Sequence, residues 1–84
     1  MNRRRIYRLI TDERDRQRKK WNKPHGWGRG DCSSLKVAPI VKAAVLSEEC
    51  GEVAKAVLEK DNASLKTELI QCAAVCVAWL ESLK

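Results

Sequence analysis

Residues 47–76 read SEECGEVAKAVLEKDNASLKTELIQCAAVC, and the way this run divides decides the fold. KDNAS, residues 60–64, is the break: it interrupts two apolar, helix-favouring stretches and offers Asp61, Asn62 or Ser64 as an N-cap. The stretch before it is expected to start within 33–37, interrupted or re-started near Pro39, which suits a first helical turn, and to continue to about Glu59. Val37, Val41, Ala44, Val45, Glu48 and Glu52 fall along one stripe of it. The stretch after it runs from about Leu65 to Leu83, with Leu65, Leu69, Cys72, Cys76, Trp79 and Leu83 repeating at three and four. A connection this short predicts an antiparallel helix hairpin. Glu52 lies nine residues before residue 61, Glu68 seven after it and Gln71 ten after it. At about 1.5 Å per residue these side chains reach the same level of the hairpin.

Working outward, Ile6–Trp21 lacks Gly and Pro and is rich in Arg, Glu, Gln and Lys, which predicts a helix with Ile6, Leu9 and Ile10 on its apolar side. Glu13 and Gln17 continue that face. NKPHGWGRGDCSS, residues 22–34, then breaks all periodicity and predicts a loop over 22–36. No stretch alternates as a strand would. The expectation is an all-α small helical bundle in a single domain, 1–84: a basic N-terminal helix over 1–21, the loop, and the hairpin over 37–84. A chain of 84 residues buries little of its surface alone, so oligomerisation is expected to complete the bundle.

Composition narrows the function classes. No run of eighteen apolar residues occurs, so no membrane span is expected, and MNRRRIYRLITDE lacks the apolar core of a secretory signal. Cys32, Cys50, Cys72 and Cys76 include no Cys-x-x-Cys pair, and the single histidine, His25, reads as a loop residue. The cysteines read as small buried hydrophobes of a reducing, cytoplasmic setting. The net charge of +6 is uneven, with eleven Lys/Arg against three Asp/Glu in residues 1–30. Such a balance suits nucleic acid, or a polyphosphate drawn to one part of a protein that holds cations with another.

Glu48 and Glu52 are spaced i, i+4 and Glu49 and Glu52 i, i+3, so their like charges crowd one face at a cost of about 0.2–0.5 kcal/mol per pair. Such residues often do no more than solubilise an exposed face. Here the flanks are apolar, Ala43–Leu46 and Val53–Val57, so at least one carboxylate is expected to approach the core. Gly51, which costs about 1 kcal/mol inside a helix, suggests close approach of something to the backbone. A hard divalent cation would turn the repulsion into attraction.

Glu49-x-x-Glu52, a spacer of fifteen residues, and Glu68-x-x-Gln71 resemble the acidic signature of the MazG-like, all-α NTP pyrophosphohydrolases, Glu-x-x-Glu followed by Glu-x-x-Asp. The wider text LSEECGEVAKAVLE and LKTELIQCAAVCVAWLESL is similar to short phage and bacterial members, as is IYRLITDERDRQRKKW. The resemblance covers most of the chain and is weakest over 22–36. It implies that Glu49, Glu52 and Glu68 bind Mg²⁺ (with Mn²⁺ as a substitute), with Glu48 beside them and Gln71 at the final acidic position. It further implies hydrolysis of nucleoside triphosphates, standard or modified, to monophosphate and pyrophosphate, with Glu49 or Glu52 handling the attacking water, in a homodimer or dimer of dimers. Gln71 departs from the pattern: an amide oxygen can ligate a cation but brings no charge and is no base at pH 7.

Lys19, Lys20, Lys23 and Arg29 are candidates for triphosphate contacts, and Trp21 or Trp27 for stacking on a base. The alternatives are a basic helical nucleic-acid-binding module using Arg3, Arg4, Arg5, Arg8, Arg14, Arg16 and Arg18, or a catalytically degenerate helical interaction protein disabled by Gln71.

Overall fold

In the computed structural model, which describes residues 1–83, three long helices carry the chain: α1 (Arg3–Trp21), α2 (Pro39–Leu58) and α3 (Asn62–Glu81). The fold is all-α, save for two-residue strands β1 (Pro24–His25) and β2 (Gly28–Arg29) that pair antiparallel inside the predicted loop. Each helix begins and ends for a local reason. Asn2 caps α1 by accepting from the Arg5 N–H at 2.8 Å. Pro39 opens α2 after Ala38, which offers no side-chain cap. The end of α2 is a Schellman turn: the Lys60 N–H donates to Val57 O at 3.1 Å and the Asp61 N–H to Ala56 O at 3.0 Å. That turn needs a left-handed residue, and Lys60 supplies it at φ 55°. Asp61 then caps α3, accepting from the Ser64 N–H at 3.0 Å.

The helix α3 is the centre of the molecule: it packs on α2 and on α1, while α1 and α2 make at most marginal contact with each other. Ala74, Val75 and Ala78 of α3 are buried, and Val75 and Ala78 cluster with Cys32 of the loop, with Val45 and Leu46 of α2 packed against them. This interior is small. The radius of gyration, 13.1 Å, exceeds the ~12 Å of a compact domain of this length. Much apolar surface stays outside, including Leu58 (82% exposed), Ile40 (76%) and Leu80 (65%).

Two expected faces are therefore corrected. On α3 the stripe predicted to face inward leaves Leu69, Cys76 and Leu83 exposed, because close packing on both flanks admits the small Ala74 and Ala78 instead. On α2 the inward face is turned about one residue, with Lys42 and Ala56 buried and Val45, Leu46, Glu49 and Val53 half-buried, while Ala44, Glu48 and Glu52 are exposed. The cysteines divide accordingly: all four are free thiols, Cys32 is buried, and Cys50 and Cys76 are exposed rather than packed. By length and composition α3 is also apolar enough to cross a membrane, at mean hydropathy 1.3 over eighteen residues, although Lys66, Glu68 and Gln71 interrupt it and its uninterrupted apolar run is confined to residues 72–80.

The loop is pinned from below by one buried cation. Arg14, 5% exposed, donates from Nη1 to Asp31 Oδ2 at 2.7 Å and from Nε to Glu81 Oε1 at 2.9 Å, joining α1, the loop and the end of α3. Gly28 (φ 138°) is obligatory, since a Cβ there would lie 2.0 Å from the Lys36 carbonyl oxygen.

Candidate functional site

Of the acidic residues on the α2–α3 pair, Glu49 is the one that turns inward, with Glu68 of α3 near enough for its charge to act on it. Glu49 is half-buried, and its Oε2 is enclosed with no hydrogen-bond donor. Burial pushes the Glu49 carboxyl above its ordinary value. The charges of Glu68, Glu48, Glu52 and Glu13 push it the same way, Glu68 most strongly of the four. Glu68 and Gln71 are half-buried, whereas Glu48 and Glu52 are exposed. The expectation that a carboxylate approaches the core thus holds for Glu49.

Three residues of α1 belong here that the Glu-x-x-Glu spacing did not point to. Glu13 acts on Glu49 from the third helix, and its carboxyl is held low by two hydrogen bonds from Arg16, at 2.6 and 2.7 Å. The Arg16 guanidinium is held fully charged by Glu13 and also feels Glu49. Gln17, buried, donates to Glu13 Oε2 at 3.1 Å and to the Gln71 carbonyl at 3.5 Å. The only sequence signal was that Glu13 and Gln17 continue the apolar face of Ile6, Leu9 and Ile10. A recess of about 340 Å³ opens beside this group between α1 and α3, with Glu13, Arg16, Lys66 and Gln71 in its wall.

Among the described residues no three Asp, Glu, His or Cys side chains are already gathered into a group able to hold a metal ion. The carboxylates share a neighbourhood and an electrostatic field without forming a closed cage. Gly51 does not serve as expected: a Cβ there would meet nothing within 4 Å, because it points away from α3 into open space.

The residues expected to contact substrate lie at the far end of α1 and in the loop. Lys20 Nζ sits 5.3 Å from the Trp21 ring centre, and Trp21 packs edge-on against His25 at 5.5 Å. His25 Nε2 in turn lies 2.8 Å from the Gly30 carbonyl oxygen, so this histidine braces the loop. Trp27 is 67% exposed and Lys23 is exposed. Arg29 joins Arg18 and Lys36 around a second recess of about 320 Å³. The expected set is therefore divided: Lys20 and Trp21 touch each other, and Arg29 faces a different opening. Sequence reasoning also missed Lys42, only 3% exposed and close enough to Cys32 for its charge to act on that thiol.

No known protein family, curated protein or solved structure compared with this chain matches it.

Proposed function

We propose that the chain is a Mg²⁺-dependent nucleotide pyrophosphohydrolase of the MazG-like kind, cleaving nucleoside triphosphates to monophosphate and pyrophosphate. The observation that carries this reading is the enclosed, donorless Oε2 of Glu49, set among like charges from all three helices. A protein gains no stability from such an atom, since an unpaired buried oxygen costs about 1–3 kcal/mol. A hard cation answers both the missing partner and the repulsion. Glu49, Glu52 and Glu68 would hold it, with Glu48 and Gln71 beside them. The open arrangement suits Mg²⁺, which keeps waters and is commonly bound by one or two carboxylates together with substrate phosphates. The bound ion would neutralise phosphate charge and acidify a water.

The chain's own residues do the rest. Burial and the neighbouring carboxylates raise the proton affinity of the Glu49 carboxyl, which favours it among the glutamates as the group that takes a proton from water. Arg16, held by Glu13 on the opposite side, offers a cation to phosphate oxygens. Lys20, Trp21, Lys23, Trp27 and Arg29 would reach a nucleotide only if it extends toward the loop. In this reading α2 and α3 form an antiparallel hairpin, and a second copy covers part of the exposed Leu58, Leu69 and Leu80.

The test is pyrophosphate release from standard and modified NTPs, with and without Mg²⁺ or Mn²⁺. Release that requires the ion and is lost in Glu49→Gln and Glu52→Gln supports the reading. No release from any NTP, or full release by those variants, overturns it. Exposed Arg3, Arg4, Arg5 and Arg8, which enter no ion pair among the described residues, favour nucleic-acid binding as the second reading. That reading requires a salt-sensitive shift of oligonucleotides and fails without one.

A further inference from the structure

Two of the four cysteines are neighbours in space although 22 residues apart in sequence. Cys50 Sγ on α2 and Cys72 Sγ on α3 lie 3.8 Å from each other. Cys50 is exposed and Cys72 half-buried, so the pair is open to a small solute from one side. Cys32 is buried in the core under the loop, and Cys76 is exposed one turn further along α3. Cys50 follows Glu49 directly and Cys72 follows Gln71, which puts the pair at the level where the two helices bring their polar residues together.

We propose that Cys50 and Cys72 are an oxidant-sensitive pair that closes to an intramolecular disulfide, tying α2 to α3 beside the carboxylate group. A disulfide needs sulfur atoms about 2.05 Å apart. The starting separation of 3.8 Å is van der Waals contact, so closure asks for side-chain rotation and a small approach of the helices, not for refolding. The oxidant is a peroxide. The exposed Cys50 sulfur attacks hydrogen peroxide, the O–O bond breaks, and Cys50 becomes a sulfenic acid with release of one water. The Cys72 thiol then attacks the Cys50 sulfur. The S–S bond forms, the S–O bond breaks, and the departing hydroxide takes the Cys72 proton as a second water. Two thiols and one peroxide thus give one disulfide and two waters. The cross-link closes a loop that contains the Lys60 turn, which restricts the unfolded chain and fixes the spacing of α2 and α3.

The experiment treats the full-length protein with hydrogen peroxide and maps it by mass spectrometry. The intact mass should fall by two hydrogens, and trypsin should release residues 43–55 joined to residues 67–84, with fragmentation placing the bond at Cys72 rather than Cys76. Cys50→Ser and Cys72→Ser should each abolish closure and Cys76→Ser should leave it, with helical circular dichroism checked for all three. The oxidised form should unfold at higher urea concentration and return to its starting midpoint with dithiothreitol. A Cys72–Cys76 bond, a disulfide between chains, or added oxygen without loss of hydrogens would each overturn the proposal. So would equal cross-linking in urea-unfolded protein, since that would owe nothing to the helix pair. None of these readouts depends on nucleotide hydrolysis, so the proposal stands or fails separately from the enzymatic reading.

Discussion

Replacing Arg14 by leucine removes the one cation that joins three parts of the chain. Arg14 is 5% exposed, and the side chain of its partner Asp31 is 6% exposed. Leucine restores most of the volume but leaves Asp31 enclosed with only Ser33 for company, whose N–H donates to Asp31 Oδ1 at 2.9 Å. Breaking a buried pair from one side costs about 3–5 kcal/mol, because the remaining charge is uncompensated. An 84-residue domain is stable by about 4–13 kcal/mol in total. Arg14→Leu should therefore leave the protein marginal. Urea unfolding followed by circular dichroism measures it: with a slope of about 1 kcal/mol/M, the midpoint should fall by about 3 M or more. Arg18→Met is the control. Arg18 reaches Glu81 at 3.1 Å from a side chain that is 61% exposed, and such surface pairs are worth under about 1 kcal/mol. Arg14→Leu with Asp31→Leu should recover part of the loss, since no orphaned charge remains. Equal small effects from Arg14→Leu and Arg18→Met would refute the reasoning.

Acid should unfold the protein through the same cluster. Burial pushes the Asp31 carboxyl up, but hydrogen bonds from Ser33 and Arg14 outweigh it and hold it below its ordinary value, while Arg14 likewise lowers Glu81. The stability they supply is complete above the ordinary carboxylate pKa of about 4 and is lost as pH falls below it, which a urea series from pH 7 to 2 will show. Glu49 has the opposite sign: its raised carboxyl makes its charge a burden that grows as pH rises above about 4, so Glu49→Gln should stabilise at pH 7 by about 0.5 kcal/mol and lose that advantage at pH 3. Glycine changes should divide by place: Gly51→Ala, with open space at its Cβ, should gain about 1 kcal/mol, whereas Gly28→Ala, meeting the Lys36 carbonyl, should lose about 1–3 kcal/mol, both read from thermal melts. Lys60→Gly should gain about 1 kcal/mol by relieving the left-handed turn at the end of α2, measured the same way.

The breaks between the helices were legible because the signals are local: the glycines near Trp27 do interrupt the chain, and Asp61 is one of the three caps the sequence offered. The starts were less so, since α1 and α3 each begin three residues before the expected Ile6 and Leu65, and α2 begins only at Pro39, not within 33–37. The faces were less legible. A stripe of large aliphatic residues marks an inward face only where the interior is wide enough to receive them. Here α3 is pressed from two sides, so Ala74 and Ala78 go in and Leu69 and Leu80 stay out. Arg14 gave no sign of burial, since its partners lie 17 and 67 residues away. Glu49 could be singled out only as one of three glutamates. Which of them turns inward depends on a rotation of α2 of about one residue, finer than the periodicity resolves.

The near-absence of contact between α1 and α2 has a mechanical consequence. Both lean on α3 as two leaves lean on a shared spine, so the gap between Glu13 and Glu49 is not fixed by any direct strut. Swinging α1 outward would strain the Arg14 clamp and the Gln17 contact while leaving the seam between α2 and α3 whole. The soft coordinate of the molecule is thus the separation of α1 from α2, and whatever bridges Glu13 or Arg16 to Glu49 would also stiffen the whole protein.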